Sequence, residues 1–242
     1  MDFQFAFNPH TAFEAIAYGC AVPLYFHLRR RAGRAAFPLE TIFWLICGCL
    51  FGAWLGSKCV VLLASLRDWD AGISWGRLLM SGKSTIGAIL GGWAGIELVK
   101  HRLQVRTQTG EFFVYPLAVG TAIARIGCFV TGLEDQTHGV ATVLPWGVDY
   151  GDGVVRHPTQ LYEVIYVLVL AVALHRSAAR GPGEPATLFR KYLAGYLAFR
   201  LLVEFLKPRE ALVLHLSVTQ IVCALALIGM MGRYGLWRAS VD

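Results

Sequence analysis

The sequence predicts an all-α integral membrane protein of seven transmembrane helices, with the amino terminus outside and the carboxyl terminus cytoplasmic. Three observations carry that expectation. Of 242 residues, 56% are hydrophobic and only 16% charged, against about 45–50% and about 25% in a soluble domain. The apolar residues gather into seven runs near the length of about 20 residues that crosses a bilayer. Finally, Lys and Arg divide unequally between alternate loops. With a mean hydropathy of +0.53, these features exclude a soluble domain, a disordered chain, a coiled coil and a collagen-like fibre.

The first run, 10–27, follows an opening without a basic stretch, so the first helix is expected to act as its own insertion signal rather than as a cleaved leader. The second, 39–66, is long enough to tilt, and it carries Gly48, Gly52 and Gly56 at every fourth position. The third, 84–99, is short and repeats the spacing with Gly87, Gly91 and Gly95, a pattern that lets helix backbones approach closely. The fourth run is 111–131, and the loop that follows it, 132–158, is long enough to fold over a site. The fifth, 159–175, is separated from the sixth, 191–206, by the turn cluster Gly181-Pro182-Gly183 with Pro185, and the seventh is 211–231. With no internal repeat and no separate soluble stretch, residues 1–242 read as a single polytopic membrane domain.

With the amino terminus outside, 13 of the 22 Lys and Arg fall in cytoplasmic segments, including Arg29 to Arg34, Lys100 to Arg106, and the tail residues Arg233 and Arg238. Six lie in outer loops (Arg67, Arg77, Lys83, Arg156, Lys207, Arg209) and three within spans (Lys58, Arg125, Arg200). This asymmetry sets the orientation. It also accounts for the basic pI of about 9.1 through anionic cytoplasmic lipid, without nucleic acid. The six cysteines sit in apolar stretches without a CxxC, so they read as small buried hydrophobes rather than disulfides or metal ligands.

An ionisable group inside an apolar span costs at least about 2.5–3.5 kcal/mol unless it is paired or hydrated, so such groups point to function. Arg125 stands between AVGTAIA and IGCFV, and Arg200 stands in YLAFRLLVEF, with Tyr196 one turn before it and Glu204 one turn after on the same helix face. The structural alternatives are an ion pair between Arg200 and Glu204, and an Arg125 that reaches towards the headgroups. Guanidinium forks bind phosphate bidentately and stay charged, and the phosphate available at that depth belongs to an anionic phospholipid. A third polar group runs from Arg156 through His157, Pro158, Gln160 and Tyr162 to Glu163, where the fifth span leaves the headgroup region. There His157 is either a proton carrier or a hydrogen-bonded scaffold.

Taken in order, these residues resemble the prolipoprotein diacylglyceryl transferase family of bacteria. The resemblance rests on FNPHTAFEAIAYG, GCLFGAWLG, GKSTIGAILGG, RIGCFVTG with Glu134, PWGV, RHPTQLYE and GYLAFRLLVEFLKP, which cover most of the chain. It implies seven spans in the bacterial cytoplasmic membrane and an active site towards the outer side. It implies transfer of the diacylglyceryl group of phosphatidylglycerol to the thiol of a lipobox cysteine in a prolipoprotein, with no metal and no soluble cofactor. By the same resemblance Arg125 and Arg200 are the two essential arginines, Tyr196 the tyrosine before the second and Tyr18 a tyrosine of the first span; the acceptor thiol must also lose its proton, for which the outer loop offers Glu134, His157 or His138. Together with Tyr18 and Tyr196, the residues Glu204 on the Arg200 face and Arg156, Gln160 and Tyr162 at headgroup level make up the expected substrate-binding set.

The chain departs from the family pattern at Ile86, which stands where the family has a histidine, and at Cys128 and Thr131, which stand for its two asparagines. Two other readings therefore stand beside the first. One is a divergent paralogue that hands a phospholipid-derived group to a different acceptor. The other is a non-catalytic phospholipid-binding or transport protein that uses the arginines only to grip headgroups.

Overall fold

The computed structural model describes residues 9–33, 37–65, 84–105, 110–179, 185–208 and 215–238. Arg34, Arg67, Arg77, Lys83, Arg106, Arg180 and Arg209 of the charge count, the Gly181 to Gly183 turn, residues 211–214 of the expected last span, and the start of the FNPH motif lie outside them.

Among the described residues there are seven α-helices: α1 (Pro9–Arg31), α2 (Leu39–Ser65), α3 (Thr85–Arg102), α4 (Val114–Thr131), α5 (Thr159–Ala179), α6 (Pro185–Val203) and α7 (Val218–Arg238). Three stretches, 39–65, 110–135 and 159–179, are long and apolar enough to cross a membrane. Several ends differ from the hydropathy runs for local reasons. Helix α1 continues through Arg29, Arg30 and Arg31, cations that favour a helix carboxyl end. Helix α6 begins earlier, at Pro185, a residue suited to the first helical position. Helix α7 begins later than expected, at a capping box: Ser217 Oγ accepts from the Gln220 N–H at 3.2 Å, while Gln220 Oε1 accepts from the Ser217 N–H at 2.9 Å.

The chain divides into two compact units, 1–34 with 108–208, and 35–107 with 209–242. In the second unit α2 and α3 pack along the two glycine stripes. A β-carbon at Gly52 would run into the Gly91 carbonyl, and one at Gly56 into the Gly87 carbonyl. Ser84 caps α3 by accepting from Gly87 N, and its own N–H donates to Ser57 Oγ at 2.8 Å. The first unit contains α1, α4, α5 and α6. Its apolar centre is Val114 and Ala118 of α4, Ala171 and Leu174 of α5, and Tyr192 of α6. Gly127 of α4 lies so close to Phe13 of α1 that an added β-carbon would overlap the ring's stem.

Around these apolar centres many large apolar side chains face outward and a few polar ones inward. Leu39, Phe43, Leu50, Phe51, Ile165, Val169 and Leu225 are exposed, while Arg125, Gln160, Glu163, Arg200 and Gln220 are buried. Apolar area of that kind suits lipid contact.

The all-α expectation needs one amendment. The segment after α4 makes a 3₁₀ turn, Gly132–Asp135, and then a short antiparallel ribbon that pairs β1 (Val148–Asp149) with β2 (Val155–Arg156). Gly132 ends α4 at φ 71°, where a glycine costs least. At the ribbon's tip Asp149 Oδ1 accepts from the N–H groups of Gly151 and Gly153, both at positive φ.

Candidate active site

The first turns of α5 carry Thr159, Gln160 and Glu163, all 1% exposed or less. Residues 159 and 163 are one helical turn apart, and both face the interior of the first unit. A buried carboxylate needs compensating charge, and α4 and α6 supply it. Arg125 Nε lies 3.0 Å from Glu163 Oε2, and Arg200 Nη1 lies 3.1 Å from the same oxygen. The other oxygen, Oε1, accepts the Tyr196 hydroxyl at 2.6 Å. Arg200 Nη2 also reaches Glu204 Oε2 at 3.5 Å. Two arginines from different helices are therefore held on one carboxylate.

Two donors in this group are buried without an acceptor among the described residues, Arg200 Nε and Gln160 Nε2. Buried donors are seldom left unmade, since each costs about 1–3 kcal/mol. Their position beside a dicationic pair suits an oxyanion. Half-buried Lys207, just past the 3₁₀ turn Glu204–Leu206 that ends α6, adds a third basic group. Burial, followed by the cations Arg200 and Arg125, pushes its ammonium down to about 7.

The remaining expected residues fall in other surroundings. Gln160 accepts the Tyr150 hydroxyl at 3.1 Å, and burial pushes that hydroxyl up. Tyr162 accepts from Trp146 Nε1 at 2.9 Å, and its oxygen lies 3.1 Å from His157 Nδ1. Arg156 is engaged with Asp152 through two contacts of 2.6 and 2.7 Å. Hydrogen bonds from Arg156 hold the Asp152 carboxyl down at about 2. Glu134 is exposed in the turn after α4, and Tyr18 is largely exposed on α1. Ile86, at the place of the family's histidine, is a buried residue of α3 in the second unit.

Two features were not anticipated from the sequence. Glu163 reads there as one of several polar groups at headgroup level, whereas in the structure it is the hub. A usable signal existed: an acid four residues into an apolar helix needs a cation, and Arg125 and Arg200 needed an anion. The second feature concerns Cys128. It is not merely a small hydrophobe, because its sulfur lies 3.7 Å from Arg125 Nη1 and 3.9 Å from His10 Nδ1.

Comparison with known proteins agrees with the motif order. A sequence profile of the prolipoprotein diacylglyceryl transferase family matches residues 10–235. The phosphatidylglycerol–prolipoprotein diacylglyceryl transferase of Geobacter sulfurreducens is 29% identical over 207 residues, 78% of this chain and 75% of that protein. The enzyme of the same name from Bordetella parapertussis is 31% identical over 186 residues, 71% of this chain and 65% of that protein. That from Nitratidesulfovibrio vulgaris is 30% identical over 209 residues, 82% of this chain and 74% of that protein.

Proposed function

The chain belongs to the prolipoprotein diacylglyceryl transferase family, and from that premise we propose that it transfers the diacylglyceryl group of phosphatidylglycerol to the cysteine thiol of a lipobox-containing prolipoprotein. The observation that carries this reading is the convergence of Arg125 and Arg200 on Glu163, with Arg200 Nε and Gln160 Nε2 buried and unspent beside them. Glu163 and Tyr196 fix the two guanidinium groups in advance. The phosphate of the lipid takes the open donors, and the bridging oxygen gains negative charge as its bond to the glyceryl carbon breaks. Donors placed beforehand where charge develops are the largest usual source of such catalysis.

In this reading Glu204 holds Arg200 from the other side, Tyr18 and Tyr162 contact the lipid, and Arg156 stands at the rim. The thiol proton leaves towards the outer loop, where Glu134 and His157 are the acceptors. The protein sits in the bacterial cytoplasmic membrane as one polytopic domain of seven spans, amino terminus out and carboxyl terminus in. The site lies towards the outer face under residues 132–158.

The test is transfer from radiolabelled phosphatidylglycerol to a lipobox peptide by the purified chain in vesicles. Thioether formation with release of glycerol phosphate supports the reading. Lipid that copurifies unchanged and never reacts, under conditions where a relative is active, overturns it in favour of a binding protein. Lipoprotein transfer that appears only after Ile86→His and Cys128→Asn indicates another natural acceptor.

A further inference from the structure

A second constellation lies beside the arginines, in the same unit. His10 comes from the first turn of α1, Cys128 from the last turn of α4, and Asp135 from the end of the 3₁₀ turn that follows. His10 Nδ1 lies 3.1 Å from Asp135 Oδ1 and 3.9 Å from Cys128 Sγ. One imidazole, one thiol and one carboxylate thus present their ligating atoms within 4.8 Å of one another. Bonds of about 2.3 Å to sulfur and about 2.0 Å to nitrogen and oxygen place tetrahedral zinc ligands about 3.5 Å (S to N) and about 3.3 Å (N to O) apart. The observed N–O separation of 3.1 Å is slightly shorter than its ideal and the S–N separation of 3.9 Å somewhat longer.

The surroundings are those of a held ligand set. His10 Nε2 lies 3.3 Å from Glu14 Oε1, which turns Nδ1 towards the cluster. Backing of that kind, a carboxylate on the far ring nitrogen, orients metal-bound histidines generally. Asp135 Oδ2 accepts the Thr137 hydroxyl, leaving Oδ1 for the cluster, and the Thr137 carbonyl in turn accepts from Thr159 Oγ1 at 2.7 Å. A single N–H on Nδ1 serves one of its two neighbours well, whereas a cation serves both. A thiolate and a carboxylate neutralise a divalent ion, and Arg125 next door is already matched by Glu163.

We propose that His10, Cys128 and Asp135 bind one thiophilic divalent cation of the zinc class, and that its fourth position takes the acceptor thiol. The second half of this proposal rests on the transferase reading above. Three protein ligands with one open position is the pattern of catalytic rather than structural zinc, and a metal-bound thiol gives up its proton. An ion held by these three residues would lower the acceptor thiol's pKa; the thiolate would then form the C–S bond to the glyceryl carbon while the C–O bond to the phosphate breaks. The electron pair leaves on glycerol phosphate held by Arg125 and Arg200, and the thiol proton passes to the outer loop. Arg125, within 3.7 Å of Cys128, joins the two sites. The family resemblance implies no metal, and the site uses a residue at which this chain departs from it.

The experiment uses the full chain in phosphatidylglycerol vesicles after chelation, titrated with cobalt and then with zinc. One cobalt per chain is expected, with a thiolate-to-cobalt charge-transfer band that zinc abolishes. The band is expected to vanish in Cys128→Ser and in Cys128→Asn, the latter carrying the family's own residue as a check on folding. Glu14→Gln, which keeps all three ligands, is expected to bind about tenfold more weakly. Transfer to a lipobox peptide is expected to stop on chelation and return with zinc. No band in the wild type overturns the metal site. A band together with chelator-resistant transfer overturns the thiol-activating role. A band without transfer at any zinc concentration overturns the transferase reading instead, so the two failures are separable.

Discussion

Replacing Glu163 with Gln keeps the shape of the side chain and removes the charge that two arginines share. Each contact, at 3.0 and 3.1 Å, is a Coulomb attraction of about 5 kcal/mol at an effective dielectric of about 20. The Gln carbonyl retains part of the hydrogen bonding, and the desolvation of the carboxylate is recovered. The net cost expected for breaking one side of a buried pair is then about 3–5 kcal/mol. Unfolding of the purified protein in bicelles, followed by denaturant titration, measures it. A double-mutant cycle sharpens the test. Glu163→Gln combined with Arg125→Gln should cost about 1–3 kcal/mol less than the sum of the single changes. A Glu163→Gln loss below about 1 kcal/mol, or additivity in the cycle, would refute the placement of Glu163 as the arginines' shared anion, since mutations that break a buried network cost more than ordinary surface changes.

Three further outcomes are expected. Arg200→Lys should lower the turnover of diacylglyceryl transfer by about 10²–10³-fold, with a stability loss smaller than that of Glu163→Gln, because an ammonium keeps the charge but not the fork that reaches both Glu163 and Glu204; steady-state kinetics beside a melting curve checks it. Gly52→Val should destabilise the second unit, because the α2 to α3 contact has no room for a β-carbon, by at least about 1–3 kcal/mol, read from unfolding and from crosslinking between the two helices. Lys207, pushed down to about 7, is charged below that pH and neutral above it. Affinity for anionic lipid should therefore fall as the pH rises through about 7. Stability should rise between about pH 7 and about pH 10, where only the unfolded chain binds that proton. Lys207→Met should flatten both profiles, measured by vesicle binding and by unfolding at fixed ionic strength.

What was legible in the sequence was whatever repeats over a short distance. The seven apolar runs, the matching glycine stripes of α2 and α3, and the isolation of Arg125 and Arg200 are local facts, and the structure holds helices, close backbones and a buried arginine pair at those places. The less legible features depend on segments far apart in the chain. Glu163 meets Arg200 across 37 residues, and Cys128 meets His10 across 118. No periodicity reports such a meeting. The start of α7 was missed for a different reason: hydropathy does not see a capping box, although Ser217 and Gln220 spell one. Tyr18, matched through resemblance, is exposed on α1, and Arg156, placed at headgroup level by the sequence, is bound to Asp152.

The segment after α4 is fastened at both ends of the site. The Gly139 N–H donates to the His157 carbonyl, the His157 N–H to the Val140 carbonyl, and the Val140 N–H to the Leu206 carbonyl at the end of α6. A β-carbon at Gly139 would strike both His157 and Leu206. Lifting this strap would break three main-chain bonds and drag the end of the Arg200 helix with it. It therefore behaves as a roof and not as a lid, so that on the proposed reading the lipid's route to Arg125 and Arg200 runs between the helices of the first unit rather than under this segment.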